Sequence, residues 1–401
     1  MNKTKIAIIG GGPAGVMCAI KASENPENEI YLFDKGIILH TLIPTGGGRC
    51  NLAYSEFNFK ELAKYYPRGE KFLYSIFSRF STKETLDFFE DIGITTYTQD
   101  DNRIFPTTNS SKSVKEALMK KLYKNNIKKC FEQIINITKT KEKFVLETVK
   151  NSYFFDKVVI ATGGKGSGQK LAQQLGHNIK ELKPALCSLI TKEKYFSNIS
   201  GLSLKNIKAD VSFDNKKTKK LNGDFLFTHK GISGPIVYKI SSYCAYLDFS
   251  ETKPLEINLN LVNKSFEHFD EEFLNELKQN PQKESLTVLS EYIPKNLASI
   301  LFEKEKINPK TKSGQLKRTD REKISKLITS LKLHATKTVN GEEIVMAGGV
   351  DLNEIDSKTM ESKVVKSLYF CGEVLDIDGL TGGFNLQNCW STGYIAGISL
   401  L

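Results

Sequence analysis

The sequence predicts an α/β fold in which both ends of the chain build one domain and the middle forms an inserted α+β domain. KIAIIG (5–10) is a short apolar strand, a glycine turn and a helix follow it, and EIYLFDK (29–35) is a second strand. Such a βαβ unit is typical of a nucleotide-binding domain. From about residue 189, short alternating strands and then helices replace this pattern. Strand, glycine loop and helix return in SLYFCGEVLD (367–376) and in residues 385–401, which indicates that the two chain ends belong together.

The predicted domain boundaries follow these changes of pattern. Residues 1–188 form the N-terminal part of the nucleotide-binding domain, residues 189–334 form the insert, and residues 335–401 form the C-terminal part. A chain of 401 residues with 40% hydrophobic and 26% charged residues is typical of a folded globular protein of two domains. No apolar run is long enough to cross a bilayer, so we expect a cytoplasmic protein without a membrane partner.

Cysteine and histidine patterns argue against disulfide and metal sites. The seven cysteines include no CxxC pair, and an odd number does not suit a disulfide framework. The five histidines show no metal-ligand spacing. We therefore expect free thiols and no bound metal.

The net charge of +11 is concentrated in the insert, where DNKKTKK (214–220) and NPKTKSGQLKRTDREKISK (308–326) are strongly basic. One interpretation is a diffuse solvated coat, because 51 lysines against six arginines is a skew that genome base composition can produce. The other is a surface that binds a polyanion such as RNA. The predicted contact residues for that polyanion are Lys310, Lys312, Lys317, Arg318 and Arg321.

The first glycine turn carries a dinucleotide-binding fingerprint, G-x-G-x-x-G, between a strand and a helix. Its first glycine permits the tight turn, its second lets a pyrophosphate approach, and its third lets the helix pack on the strand. The phosphates would face the free N–H groups at the helix N-terminus. Asp34 ends the second strand, where an acidic residue binds ribose. The predicted binding residues of this region are Gly10, Gly12, Pro13, Ala14, Gly15, Asp34 and Lys35.

Later motifs indicate that the dinucleotide is FAD. VVIATGG (158–164) is the strand and turn that passes near the flavin nucleotide in two-dinucleotide-binding flavoproteins. LYFCGEVLDIDG (368–379) resembles their C-terminal element, whose acid binds the ribityl chain, and TGGFNLQNCWSTGYIAG (381–397) begins a helix that would face the flavin pyrimidine ring. We therefore predict a two-dinucleotide-binding-type, glutathione-reductase-like FAD domain. Its flavin-binding residues are predicted to be Ala161, Thr162, Gly163, Gly372, Glu373, Asp376, Gly383, Asn385, Leu386 and Gln387.

The sequence contains one convincing dinucleotide-binding fingerprint, and this limits where a hydride donor can bind. Without a second Rossmann domain, NAD(P)H would have to bind transiently at the flavin face that the substrate later uses. This predicts ping-pong kinetics.

The motifs taken together resemble the bacterial BaiN/RdsA-type flavoprotein family over essentially the whole chain. They match in order: GGGPAG, TGGGRCN, ATGG, FTHKGISGP, TMES and GEVLDIDGLTGGFNLQ. Members of that family are described as bile-acid ene-reductase, aminoacetone oxidase and ribosomal RNA dihydrouridine synthase. The chain departs from the family pattern after ATGG, where KGSGQKLAQQLGHNI replaces a longer loop with a proline and further glycines. Because of that departure, the resemblance does not extend to the details of the substrate entrance.

TGGGRCN (45–51) lies where the resemblance implies that the chain wraps the flavin. Its predicted cofactor-binding residues are Gly47, Gly48, Arg49, Cys50 and Asn51. Reduction of a C=C bond needs a proton on one carbon as well as a hydride on the other, and the Cys50 thiol is a candidate for that proton. Alternatively, Cys50 packs in a small dry site, as free cysteines commonly do.

The loop FTHKGISGP (227–235) contains a second candidate catalytic residue, His229. Its imidazole could bind substrate or donate a proton, or it could cap the loop.

Three functions remain open from the sequence. The first is NAD(P)H-driven reduction of an electron-poor C=C through FAD, with uracil in ribosomal RNA as the leading substrate, supported by the resemblance and the basic insert. The second is a small-molecule oxidase or ene-reductase for an aminoacetone- or steroid-type substrate. The third is a flavin-bound RNA-binding factor without turnover.

Overall fold

The structure is a computed structural model, and it describes residues 3–339, 341 and 344–401. The chain divides into two compact units. Unit 1 consists of Met1–Lys183 and Val345–Leu401, and unit 2 consists of Pro184–Ile344. These bounds are wider for the middle unit than the predicted 189–334, because the strand Leu331–Thr338 pairs only with strands of unit 2.

The described residues form nineteen strands, numbered along the chain: β1 (Thr4–Ile9), β2 (Asn28–Phe33), β3 (Ala53–Tyr54), β4 (Thr96–Thr98), β5 (Arg103–Pro106), β6 (Lys128–Cys130), β7 (Asn136–Lys139), β8 (Phe144–Glu147), β9 (Ser152–Phe155), β10 (Lys157–Ile160), β11 (Ile179–Ala185), β12 (Leu189–Thr191), β13 (Ser203–Phe213), β14 (Lys216–Phe227), β15 (Gly231–Ser233), β16 (Leu255–Asn260), β17 (Leu331–Thr338), β18 (Val345–Val350) and β19 (Leu368–Phe370).

The same residues form twelve α-helices: α1 (Pro13–Ala22), α2 (Phe59–Ala63), α3 (Glu70–Phe77), α4 (Thr82–Asp91), α5 (Ser111–Lys124), α6 (Ser167–Gln174), α7 (Pro235–Tyr243), α8 (Phe266–Gln279), α9 (Ser285–Leu289), α10 (Lys295–Lys304), α11 (Arg318–Thr329) and α12 (Phe384–Ile398). None of them is long and apolar enough to cross a membrane.

Unit 1 is built on a parallel five-stranded sheet with the order β19-β10-β1-β2-β6. The central strand β1 is buried at four successive positions, as expected for a parallel strand covered on both faces. This confirms the predicted α/β Rossmann-type fold. β3, β5 and β4 form one antiparallel sheet, and β7, β8 and β9 form another.

The two chain ends are held together by close contact between α1 and α12. A Cβ added at Gly393 would lie 2.4 Å from the carbonyl oxygen of Ala14, and one added at Gly397 would lie 2.9 Å from that of Cys18. Side chains at these two positions would push the helices apart. The glycines of the last helix therefore place the C-terminal segment beside the first glycine turn.

Unit 2 is a closed antiparallel barrel with the order β12-β15-β14-β13-β16-β17 and five helices. Along β13, the side chains of Ile207, Ala209 and Val211 are buried while those between them are exposed, which is the period-two alternation of a strand with one face on the core. Apolar residues of the helices extend this core. The barrel thus leaves a polar outer face.

Candidate functional site

The turn between β1 and α1 shows which of its glycines are needed for packing. Gly10 has φ +114°, and a Cβ there would lie 2.3 Å from the carbonyl oxygen of Ala161. A Cβ at Gly15 would lie 1.9 Å from the carbonyl oxygen of Gly10. At Gly12 the backbone is extended, and among the described residues a Cβ would have only the Thr41 hydroxyl within 4 Å, at 3.7 Å. The space beside Gly12 is therefore not filled by the protein's own side chains.

That space lies at the N-terminus of α1. The N-cap residue there is Gly12, which has no side chain that could cap the helix. Pro13 is the first helical residue, and no acidic side chain lies in the first turn. Uncapped N–H groups and the positive end of the helix dipole favour an anion there. The arrangement suits a pyrophosphate.

Asp34 binds the turn from the end of β2. Its Oδ2 accepts a hydrogen bond from the Gly11 N–H at 2.7 Å, and its Oδ1 accepts one from the Gly36 N–H at 2.8 Å. The carboxylate thus fixes the glycine turn and retains further lone pairs for a ribose. Lys35 is exposed.

The segment Thr45–Asn51 forms an open turn. Gly47 and Gly48 have φ of +68° and +85°, and a Cβ added at either would meet no heavy atom of the described residues within 4 Å. These two glycines are required for backbone conformation and leave their surroundings free. The Arg49 guanidinium lies 4.2 Å from the centre of the Phe105 ring, and its Nε donates to the Gly46 carbonyl at 3.3 Å.

Asn51 connects this turn to the start of α12. With its amide oriented to satisfy its neighbours, the side-chain oxygen accepts from the Gly383 N–H at 3.0 Å and the nitrogen donates to the Ala53 carbonyl at 3.0 Å. Asn51 therefore positions backbone, and the predicted contact between its side chain and the cofactor stays a prediction.

Cys50 is fully buried and has φ +63°. Burial raises the pKa of the thiol to about 12, although a hydrogen bond with the Thr45 side chain opposes this. The thiol is therefore protonated at neutral pH and is a weak acid. Its role as proton donor stays a prediction, and its burial favours the packing alternative.

The loop after β10 offers a further open position and a buried polar atom. Gly163 has φ +75°, and within the part of the chain that the structure describes a Cβ added there would meet no heavy atom within 4 Å. The Thr162 hydroxyl oxygen is buried with no hydrogen-bond partner among the described residues. The Ala161 N–H donates to the Ile9 carbonyl at 2.8 Å, which fixes this loop beside the first glycine turn.

The segment after β19 brings acidic side chains to the same region. Gly372 packs on the start of α1, because a Cβ there would lie 2.7 Å from the Ala14 Cβ. Burial and the neighbouring Asp378 carboxylate raise the pKa of the half-buried Glu373 to about 7. Burial also raises the pKa of Asp376, whose Oδ1 is buried with no hydrogen-bond partner in the part of the chain that the structure describes.

An ion pair that the sequence did not predict lies beside these acids. Arg68 binds both carboxylate oxygens of Asp378, whose side chain is completely buried. The two residues are 310 positions apart. In the sequence, the acidic DIDG segment draws attention to Asp378, but nothing draws attention to Arg68. The pair fixes the acidic loop against the α2–α3 region.

The start of α12 is divided between structural and open groups. Gly383 is its N-cap residue, the Asn385 amide bonds to the Gly379 backbone, and the Gln387 nitrogen donates to Thr85 and Ser391. These contacts give Asn385 a structural role and fix the Gln387 nitrogen, while the Gln387 oxygen is buried with no hydrogen-bond partner among the described residues. Leu386 is half-buried. Asn388, which was not among the predicted residues, is buried with no partner for either amide atom among the described residues.

Aromatic side chains lie beside this helix start. The ring of Phe384 stacks on Tyr65 with centroids 4.4 Å apart, and Tyr54 lies 4.8 Å from Phe384. Tyr54 and Tyr65 are half-buried. Such a cluster offers a flat surface for a planar ring.

The observations on unit 1 fit FAD. Open glycine backbone at three turns suits the diphosphate and the ring system, and the orphaned Thr162, Asp376 and Asn388 atoms are polar groups that a polar ligand would satisfy. No group of three or more His, Cys, Asp or Glu residues in the described ranges is placed to hold a metal.

Unit 2 contains the other predicted residues. His229 is exposed, and the bonds that close its loop join Thr228 and Gly231 without it. Arg321 forms two hydrogen bonds with Asp270, at 2.8 and 2.9 Å, and only 11% of its side chain is exposed. Arg321 is thus a structural residue in the unit's ion pairs, which limits its predicted role in RNA contact.

The remaining predicted RNA contacts are exposed. Arg318 pairs with Glu322 at 2.7 Å, whereas Lys310, Lys312 and Lys317 have no ion pair within the described residues. The structure therefore divides this set into paired arginines and unpaired lysines.

A family comparison agrees with this site. The family model described as "HI0933-like protein Rossmann domain" matches residues 4–399. The chain belongs to this family. Membership confirms the resemblance found from the sequence and the prediction of an FAD-dependent oxidoreductase enzyme.

Three relatives align with the chain over nearly their whole lengths. A 3-dehydro-bile acid delta(4,6)-reductase from Clostridium scindens is 29% identical over 98% of this chain and 98% of its own. A ribosomal RNA dihydrouridine synthase from Haemophilus influenzae is 29% identical over 98% and 97%, and one from Escherichia coli is 28% identical over 100% and 99%.

Proposed function

We propose that this member of the HI0933-like family uses FAD to reduce an electron-poor C=C bond, with NAD(P)H as transient hydride donor and uracil in ribosomal RNA as the leading substrate. The observation that carries the proposal is the meeting of the glycine turns and the acidic loop in unit 1, at positions whose backbone or polar atoms are left open. Bound there, FAD supplies the hydride chemistry.

The protein's own residues bind and orient in this proposal. The N-terminus of α1 and Gly12 hold the diphosphate, and Asp34 holds a ribose hydroxyl while it keeps the turn in place. Glu373, with a pKa of about 7, is a carboxyl group that can hold or release a proton at neutral pH. The half-buried Tyr65, which stacks on the buried Phe384, offers a planar base a surface to pack on.

RNA is preferred to a small molecule because unit 2, which carries slightly more than half of the net positive charge, displays that charge on exposed lysines. A base in folded RNA is reached only if phosphate charge is neutralised and the base is unstacked. The alternative, a small-molecule ene-reductase, is supported by the bile-acid reductase, whose identity to this chain is the same as that of a dihydrouridine synthase.

Two measurements test the proposal. The purified protein should be yellow and should release FAD on denaturation; release of FMN, or no flavin after reconstitution with FAD, contradicts the cofactor assignment. Mass spectrometry of ribosomal RNA from cells lacking the gene should show one lost dihydrouridine that the restored gene brings back. Unchanged ribosomal RNA, together with turnover of a small enone, favours the alternative.

A further inference from the structure

We infer that the outer face of the unit 2 barrel is the surface through which this protein holds RNA, and that it contacts the phosphates of a helical segment. The inference rests on the proposed RNA substrate and adds where, and in which form, the RNA is bound. The barrel face is defined by the outward side chains of β14, β13, β16 and β17: Lys208, Asp210, Ser212, Lys217, Lys220, Asn222, Glu256, Asn258, Asn260, Lys332 and His334.

Strand register collects these residues into rows. Lys220 pairs with Asp210, Asp210 with Asn258, and Asn258 with Lys332, so one polar row crosses all four strands. In the next row, Lys208 lies between Asn222 and Asn260. Along β13, β16 and β17, the residues that alternate with them are buried in the barrel core. The rows therefore face one way, and residues distant in the sequence share a surface.

The lysines of the barrel face are available to a partner. Lys208, Lys217, Lys220 and Lys332 are all exposed. Lys220 lies 3.9 Å from Asp210, at the limit of an ion pair, and 80% of its side chain is exposed. No ion pair joins the other three to any residue of the described chain. Exposed lysines without partners can exchange their counterions for phosphates at little cost.

The basic run at 308–326 contains both paired and unpaired cations. Arg321 is bound to Asp270, Arg318 to Glu322, and Lys323 lies 4.0 Å from Asp320. Lys310, Lys312, Lys317 and Lys326 are exposed and have no ion pair among the described residues. The barrel face, which no continuous stretch of sequence reveals, adds three further exposed lysines without such a pair.

The size and chemistry of the face favour helical RNA. Neighbouring strands lie about 4.8 Å apart and alternate residues about 6.8 Å apart, so the lysines spread over roughly 14 Å in each direction. The face contains no Phe, Tyr or Trp on which an unstacked base could rest. Double-stranded RNA is held through phosphates and 2′-hydroxyls, which lysine and asparagine side chains can contact.

The test compares RNA binding by two variants that lose the same charge. K208Q/K217Q/K220Q/K332Q removes the lysines of the barrel face, and K112Q/K120Q/K124Q/K141Q removes four exposed lysines of unit 1. Affinity for a labelled RNA duplex of about 16 base pairs, and for a single strand of equal length, is measured from 50 to 200 mM salt. Thermal unfolding and FAD content confirm that each full-length variant is folded.

The barrel-face variant should lose about 3.6 units of the slope of log affinity against log salt, since each of four phosphate contacts contributes about 0.9. The control should keep the slope of the unmodified protein within roughly half a unit. Restoring charge with arginine at the same four positions should restore the slope. Equal losses in both variants, or tighter binding of the single strand than of the duplex, would overturn the inference and leave the proposed RNA substrate standing. An unmodified protein with no salt-dependent RNA affinity would overturn both.

Discussion

The candidate site of unit 1 and the barrel face of unit 2 place their charged groups in different ways. At the site in unit 1, Asp378 is completely enclosed and bound by Arg68, and the half-buried Glu373 lies beside it with a raised pKa. On the barrel face of unit 2, the lysines point to solvent in rows set by strand register. Buried charges have specific partners and geometry, whereas exposed charges act together on a large partner. The first arrangement suits a cofactor and the second suits a polyanion.

The largest expected effect comes from breaking the buried pair of unit 1. Arg68→Met removes the partner of a completely enclosed carboxylate, and breaking such a pair typically costs about 3–5 kcal/mol. We expect a loss of that size in the free energy of unfolding, measured by urea denaturation of the FAD-free protein. Arg68→Lys is the control and should lose less, because it keeps the charge. A loss below about 1 kcal/mol for Arg68→Met would show that water reaches Asp378.

The second effect concerns cofactor affinity alone. Gly12→Val should weaken FAD binding by at least about a hundredfold, because two charge-assisted hydrogen bonds to phosphate, each worth about 1.5–3 kcal/mol, are lost. Extended backbone and open space at Gly12 allow the valine without strain in the FAD-free protein. Titration of the FAD-free variant with FAD measures the affinity, and thermal unfolding should be unchanged. Stoichiometric FAD in a folded variant would place the diphosphate elsewhere.

These two predictions show what the sequence could and could not reveal. The glycine turn and Asp34 were predictable because the fingerprint is local: strand, turn and helix are consecutive. The Arg68–Asp378 pair was not, because 310 residues separate its partners. The barrel face was not either, since Lys220 and Lys332 share a row only through the register of two strands between them. Arg321 was predicted to contact RNA because its sequence neighbours are basic, but its partner Asp270 lies 51 residues earlier.

The third effect separates a structural arginine of unit 2 from an exposed lysine. Arg321→Gln leaves the Asp270 carboxylate with only its bond from Ser325, and we expect a loss of about 1–3 kcal/mol in the free energy of unfolding. Lys317→Gln, on an exposed residue four positions away, should change it by less than about 0.5 kcal/mol. Equal and small losses would mean that the Arg321–Asp270 pair contributes little and that Arg321 is available to RNA.

The fourth effect is a change in pH dependence. The folded-state pKa of Glu373, about 7, lies above its ordinary value of 4.5, so between these values the folded protein binds more protons than the unfolded chain. The contribution of Glu373 to stability therefore falls as pH rises from about 4.5 to 7 and then levels off. Urea denaturation of the FAD-free protein and of Glu373→Gln at several pH values should show this fall as the difference between their two pH profiles. A parallel pH profile for the two proteins would indicate that Glu373 is solvated.

The smallest expected effect concerns Cys50, where the sequence left proton donation and packing open. The thiol is fully buried and its pKa is raised to about 12, so it can neither touch a substrate in this conformation nor release its proton readily at neutral pH. We expect Cys50→Ser to keep FAD and to turn over within a few-fold of the unmodified protein, because a positioned general acid contributes about 10²–10⁴-fold and packing does not. Stopped-flow measurement separates flavin reduction by NAD(P)H from reoxidation by the C=C substrate. A loss of that size confined to reoxidation, in both Cys50→Ser and Cys50→Ala, would instead make the thiol the proton donor and require the turn at Gly47 and Gly48 to open during the reaction.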